Sequence, residues 1–168
     1  MATHNGVDSF GKSTPMANTL HQSAVHTVFA PKYRQALILP NLREPLQRYM
    51  TGMVRGMEHL PMAIYAMPDH VHLLMAISMN MEPRKIMQVL KAETSKWINE
   101  QGLLQRKFEW QRGYGWFHVS ACGIDAVADY IRHQPEHHRK TRFLTEYTGL
   151  LNENGIACEP RYLFTDPE

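Results

Sequence analysis

MAIYAMPDHVHLLMAIS, residues 62–78, holds two strand-like runs, 62–67 and 70–78, separated only by Pro68 and Asp69. Proline and aspartate between two apolar runs are turn chemistry, so the stretch reads as an antiparallel hairpin. Upstream, residues 24–30 (AVHTVFA) form a short β-rich run with Val25, Thr27 and Phe29 on one side. Between that run and the hairpin, NLREPLQRYMTGMVRGME repeats apolar residues at helical spacing: Leu42, Leu46, Tyr49, Met50, Met53, Val54 and Met57. This predicts an amphipathic helix with Asn41 as its cap.

Downstream, residues 82–101 predict a second helix, with Ile86, Val89, Leu90, Trp97 and Ile98 inward and Gly102 ending it. Residues 116–121 alternate again as a strand. From Asp125 the chain is helical to about Gln134, where Pro135 imposes a kink or break, and a further helix runs from Glu136 to about Leu151. The order is β-α-β-β-α-β followed by helices. That is an α+β, ferredoxin-like βαββαβ plan: an antiparallel sheet with helices on one face and additional C-terminal helices. The plan alone says nothing about activity.

Composition narrows the classes. The chain has 168 residues, 43% of them hydrophobic and 20% charged, enough for one domain with a real core and unlike a disordered chain. No apolar run approaches the roughly 18 residues of a membrane span. The two cysteines, Cys122 and Cys158, form no CxxC, and no secretory leader is expected, which suits a reducing cytoplasm. The first fifteen residues are polar and patternless. Residues 1–19 are therefore expected to be a disordered or vector-derived leader, and 20–168 a single domain. The formal charge of +2 hides a split. Residues 1–145 carry 17 basic and 11 acidic side chains, whereas 146–168 set Arg161 against Glu146, Glu153, Glu159, Asp166 and Glu168. A basic body with an acidic tail suits a polyanionic partner. Removing the residues after Leu151 is then expected to strengthen non-specific binding of a polyanion, unless the tail packs on the core.

Chemistry concentrates in two places. Alternation along the second hairpin strand sends Val71, Leu73, Met75 and Ile77 to the core and His70 and His72 together to the other face. Two imidazoles side by side on a strand can ligate one divalent metal, although the same pattern suits two surface histidines. Farther on, Tyr130 and Gln134 are four apart and share a helical face in the predicted helix. A tyrosine attacks a phosphodiester when a nearby cation offsets the developing charge, and a glutamine carbonyl one turn away can complete the coordination of that cation. A core aromatic is the alternative for Tyr130, and His133 and His137 are alternative ligands.

The combination of PDHVHLL, QRGYGWFHVS and DYIRHQPEHHRK resembles the single-domain HUH tyrosine transposases, the insertion-sequence 200-like family that includes repeat-associated domesticated members. The likeness covers nearly all of residues 20–165, including HTVFAPKYRQ, LKAETSKWINE and the closing YLF. The resemblance implies His70 and His72 as the HUH pair, Tyr130 as nucleophile and Gln134 as third metal ligand. It also implies Mg²⁺ or Mn²⁺ as cofactor and single-stranded DNA, with hairpin-containing ends, as substrate. Cleavage would leave a 5′-phosphotyrosine and a free 3′-hydroxyl. The same resemblance implies a homodimer, in which the tyrosine helix of one subunit can complete the site of the other.

For DNA contacts the sequence offers Lys32, Tyr33 and Arg34 after the first strand and Lys91 and Lys96 on the second helix. Arg106, Lys107 and Arg112 follow in a loop, and Arg132, Arg139 and Lys140 lie near the tyrosine. Cations track phosphates, and Trp110, Tyr114 or Trp116 can stack bases. Two other readings are a metalloenzyme with His70, His72 and His118 as a three-histidine site, and a non-catalytic nucleic-acid-binding domain.

Overall fold

The structure is a computed structural model that describes residues 23–159 and Phe164. The expected leader at 1–19 lies outside the described residues, as do Arg161 and the Tyr162 and Leu163 of the closing YLF. The elements are β1 (Ala24–Phe29), α1 (Pro40–Gly56), β2 (Leu60–Ala66), β3 (Val71–Ala76), α2 (Pro83–Glu100), β4 (Gly115–Val119), α3 (Ile124–Arg132), α4 (Gln134–His137) and α5 (Phe143–Glu153). The four strands form one antiparallel sheet in the order β2-β3-β1-β4, the ferredoxin-like arrangement expected from the sequence.

Period-2 alternation divides the central strands between two cores. Val25, Phe29, Val71, Leu73 and Met75 pack against Leu42, Leu46, Met50 and Val54 of α1 and Ile86 and Leu90 of α2. The opposite face is also covered. Ala24 and Leu74 meet Ile124, Ala128 and Ile131 of α3, while Val28 and Phe117 meet Phe143, Tyr147 and Leu151 of α5. The additional C-terminal helices thus turn a half-exposed sheet into a middle layer. This explains why β1 is buried at every position. Among the described residues no helix is long and apolar enough to cross a membrane.

Several local expectations need correction. Helix α1 starts at Pro40, with Leu39 as cap and no side-chain capping bond, so Asn41 lies inside the first turn. Proline at the first helical position has φ preset and no N–H to satisfy, which makes an Asn cap unnecessary. Gly102 ends α2 with φ +64°, as its lack of a side chain permits.

The chain after Asp125 differs more. Helix α3 stops at Arg132, His133 caps it, and Pro135 sits in the first turn of α4. Tyr130 and Gln134 therefore stand on successive helices rather than on one helical face. The predicted helix from 136 to 151 is also two helices, because residues 138–142 form a turn. That turn, His138-Arg139-Lys140-Thr141-Arg142, has no apolar side chain to bury, and the Thr141 carbonyl accepts a bond from His138 Nδ1 at 3.0 Å.

The acidic C-terminal segment is not a free tail. Phe164 is buried against Phe143 and Tyr147, with ring centroids 5.4 and 4.7 Å away. Cutting after Leu151 would remove this packing together with the charge.

Candidate metal and tyrosine site

The site lies where β1 and β3 face α3, α4 and α5. His72 pairs with Val28 across the sheet and so points to the α5 side, fully buried. His70, one turn of the pleat earlier, is 1% exposed. Neither is a surface histidine.

Each imidazole is held by its Nδ1. His70 Nδ1 bonds Asp69 Oδ1 at 2.8 Å, and Asp69 Oδ2 accepts from Arg34 Nη2 at 2.6 Å. His138 Nδ1 donates to the Thr141 carbonyl. His72 Nδ1 lies 2.9 Å from Nε2 of His26, whose ring stacks on it at a centroid distance of 5.1 Å. Holding a ring by one nitrogen fixes the direction of the other. The Nε2 atoms of His70, His72 and His138 are buried and without hydrogen-bond partners, as are Gln134 Oε1 and Glu146 Oε2. One ligand atom from each of His70, His72, His138 and Glu146 falls within 4.8 Å of the others. Unpaired acceptors converging in a buried pocket cost several kcal/mol unless a cation or protons satisfy them. These residues fit a divalent metal ion.

Glu146 organises the rest. Its Oε1 accepts hydrogen bonds from Tyr130 Oη and, at 2.9 Å, from Gln134 Nε2. Its Oε2 lies 3.0 Å from His138 Nε2 and 3.6 Å from His72 Nε2. Tyr130 also packs edge-on against His26, His72 and His137. The nucleophile expected from the sequence and the expected ligands His70, His72 and Gln134 are thus brought together within one chain.

Electrostatics follow from burial and from Glu146. Burial lowers His26 to about 3, with the neighbouring His72 adding to it, and lowers His70 to about 4 against the pull of Asp69. Burial likewise lowers His72. For Glu146 burial opposes the charge, but His138, His72 and Tyr130 together hold the carboxyl far below the ordinary range. His138 goes up: burial acts to lower it, and the Glu146 carboxylate more than compensates. Burial, then the charge of Glu146, pushes the Tyr130 phenol well above its usual value. Without a cation, the hydroxyl stays protonated.

These shifts predict acid lability of the metal-free protein. His26 and His70 remain neutral in the fold but protonate in the unfolded chain near pH 6.5. Their contribution is intact above that pH and erodes as pH falls toward their folded values of about 3 and 4. At pH 5 each costs about 2 kcal/mol, opposed in part by His138, whose shift has the other sign. Thermal melts in chelator should show Tm falling from pH 7 to pH 5; a flat Tm would contradict neutral burial of these rings.

The structure sorts the expected DNA contacts into three groups. Lys32, Tyr33, Lys91, Lys96, Lys107 and Arg112 line a groove of about 1270 Å³ between α2 and the 107–114 loop, joined by Arg84, which sequence reading missed. Arg139 and Lys140 border a cleft of about 700 Å³ that reaches His70 and His138. Arg106 lies outside both and donates to Gln35 Oε1, and Arg132 is exposed on α3, paired with Asp129. Within the groove Lys32 is paired with Glu109.

Two of these cations are engaged by the protein itself. Arg34 is 6% exposed, packs on the Phe143 ring and serves Asp69. Lys91 donates to the carbonyls of Gln111 and Gly113, clamping the loop, and burial lowers it to about 8. Of the proposed stacking rings, Trp110 is core, with its indole N–H bonded to Thr94.

His118 is exposed and pairs with Val25, which places it on the α1–α2 face, across the sheet from His72. The three-histidine site is therefore excluded. His133 is exposed and bonded to the Asp129 carbonyl, and His137, whose Nε2 is buried without a hydrogen-bond partner, lies 3.5 Å from Glu146 Oε1.

His26, His138 and Glu146 were missed. The signal for Glu146 was a carboxylate on the apolar stripe of Phe143, Tyr147 and Leu151, where a surface helix would place no charge.

The family described as "Transposase IS200 like" matches residues 19–134. The transposases for insertion sequence element IS200 of Salmonella typhimurium and Salmonella typhi are each 29% identical over 133 residues, covering 75% of this chain and 86% of theirs. Two solved structures share the fold. One is a putative transposase from Deinococcus radiodurans, with TM-score 0.60 and 19% identity over 72% of this chain and 97% of that one. The other is a REP-associated tyrosine transposase bound to a REP hairpin, with TM-score 0.56 and 14% identity over 76% of this chain and 74% of that one.

Proposed function

The chain belongs to the family of IS200-like transposases, and on that premise we propose that it is a metal-dependent transposase of single-stranded DNA whose nucleophile is Tyr130. The observation that supports this reading most is the Tyr130 hydroxyl inside the one buried cluster that also holds unpartnered nitrogens of His70 and His72.

His70, His72 and Gln134 would hold Mg²⁺ or Mn²⁺, which supplies charge to the scissile phosphate when bound. Asp69 and Arg34 keep His70 in register, and His26 does the same for His72. The Tyr130 oxygen attacks phosphorus, the bond to the 3′ oxygen breaks, and the phenol proton ends on that oxygen. The products are a 5′-phosphotyrosine and a 3′-hydroxyl. A 3′-hydroxyl attacking the phosphotyrosine reverses the step, so rejoining needs no ATP. The groove lined by Lys32, Tyr33, Arg84, Lys96, Lys107 and Arg112 suits a folded DNA end such as a hairpin, and Arg139 and Lys140 suit phosphates entering the chemical site.

Incubating the protein with labelled single strands from its genomic flanks and Mn²⁺ or Mg²⁺ tests the reading. A covalent adduct on a denaturing gel is expected. Duplex-only cleavage, or no adduct with either metal, would refute it.

The resemblance allows a dimer with exchanged tyrosine helices, but Tyr130 packs among the histidines of its own chain, and Ile124, Ala128 and Ile131 seat α3 on its own sheet. We therefore expect catalysis in cis. Mixing Tyr130→Phe chains with His70→Ala chains should recover no adduct; recovery to roughly a quarter of wild type would mean a shared site.

A further inference from the structure

We infer that His138 and Glu146 are metal ligands of this chain alongside His70 and His72, and that the ion they select is a transition metal of the Mn²⁺ class rather than Mg²⁺. The inference rests on the metal part of the proposed function. It goes beyond the ligand set that the resemblance implies, which is His70, His72 and Gln134; His138 and Glu146 also lie after the family match at residues 19–134.

Proton bookkeeping carries the argument. The Thr141 carbonyl can only accept, so His138 Nδ1 carries a proton and the neutral ring leaves a lone pair on Nε2. The Asp69 carboxylate imposes the same tautomer on His70. His138 Nε2 then faces Glu146 Oε2 at 3.0 Å, off the line of a hydrogen bond. Two lone pairs held this close in a buried pocket repel unless a positive charge lies between them, either a proton on His138 Nε2 or a metal ion that takes its place. One ligand atom each of His70 and His72 lies within 4.8 Å of those of His138 and Glu146, and the Nε2 atoms of both rings are buried without hydrogen-bond partners.

The donor set is three imidazoles and one carboxylate. Mg²⁺ binds oxygen and keeps its waters, whereas imidazole nitrogen favours later, softer divalent ions. Glu146 also divides its oxygens, Oε2 toward the imidazoles and Oε1 toward Tyr130 and Gln134. One carboxylate would thus tie the ion to the nucleophile, a link absent from a site of His70, His72 and Gln134 alone.

Calorimetric titration of the metal-stripped full-length protein with Mn²⁺ and separately with Mg²⁺ tests this. Mn²⁺ should bind at least about tenfold more tightly than Mg²⁺, and Glu146→Gln and His138→Asn should each weaken Mn²⁺ by about 10–100-fold. Glu146→Gln keeps side-chain size, His138→Asn keeps a polar group near the Nδ1 position in a smaller side chain, and circular dichroism verifies the fold of each. The visible spectrum of the Co²⁺ form, which reports the donor set, should also change in each. Wild-type Mn²⁺ affinity in both variants would overturn the inference, as would equal Mg²⁺ and Mn²⁺ affinity in the unmodified protein, a result independent of how the variants fold. His70→Ala separates the two levels. If Mn²⁺ binding survives it, the metal reading of the proposed function fails as well; if only the Glu146 and His138 variants bind normally, this inference alone fails.

Discussion

Tyr130→Phe is expected to eliminate the covalent DNA–protein adduct and to lower strand cleavage on the order of 10⁴-fold or more, since it removes the attacking atom itself. The rest of the site should survive. The phenyl ring keeps its packing against His26, His72 and His137, and only the bond to Glu146 Oε1 is lost. Glu146 retains Gln134 and His138 as neighbours. Losing a hydrogen bond to a charged group costs about 1–3 kcal/mol, while the departure of a buried hydroxyl from a carboxylate leaves that carboxylate to its histidines. The variant should therefore fold, bind single-stranded DNA at wild-type affinity and bind metal. Denaturing gels read the adduct, and mobility shifts read the affinity. An undiminished adduct would sink Tyr130 as nucleophile, and peptide mapping of the adduct would then identify the residue that replaces it.

The second large effect is expected at His72. It is fully buried, with Nδ1 on His26 and Nε2 toward Glu146. His72→Gln should reduce cleavage by on the order of 10³-fold or more, because a glutamine cannot present a nitrogen lone pair from the same strand position. Raising Mn²⁺ should recover little, because the Glu146 carboxylate would then face a neutral amide in place of an imidazole. DNA affinity should change little, since the basic groove is lined by α2, which packs on the other face of the sheet. His118→Gln is the matching control. That ring is exposed on the α1–α2 side, so cleavage should remain near wild type. Loss of cleavage in His118→Gln with retention in His72→Gln would reverse the assignment of faces.

Both expectations rest on features that differ in how far the sequence shows them. His70 and His72 were legible because a strand repeats every two residues, which guarantees a shared face wherever the strand ends up. The strand and helix order was legible for the same reason: apolar spacings of two and 3.6 are local. Tyr130 and Gln134 were found through a helical spacing that the structure does not keep. Pro135 breaks the helix, and the two side chains converge on Glu146 from successive helices.

Charge was the least legible property. Glu146 counted as part of an acidic tail, yet it is a buried group at the centre of the site. Arg34 and Lys91 were legible only as cations for DNA contact, yet one also serves Asp69 and the other clamps two carbonyls. A side chain's partners cannot be read from its type.

By itself, then, the sequence determined the ferredoxin-like plan, the orientation of the HUH pair and, through its motifs, the family. Tertiary structure alone decided that the second sheet face is covered, that His26, His138 and Glu146 surround the pair, and that Tyr130 meets histidines of its own chain. His26 and His72 are 46 residues apart, and Tyr130 and Glu146 are 16 apart with a helix break between them. Backbone periodicity sets which way a side chain points within one element. Which side chains then share a pocket depends on how the elements pack, and no repeat within an element encodes that distance.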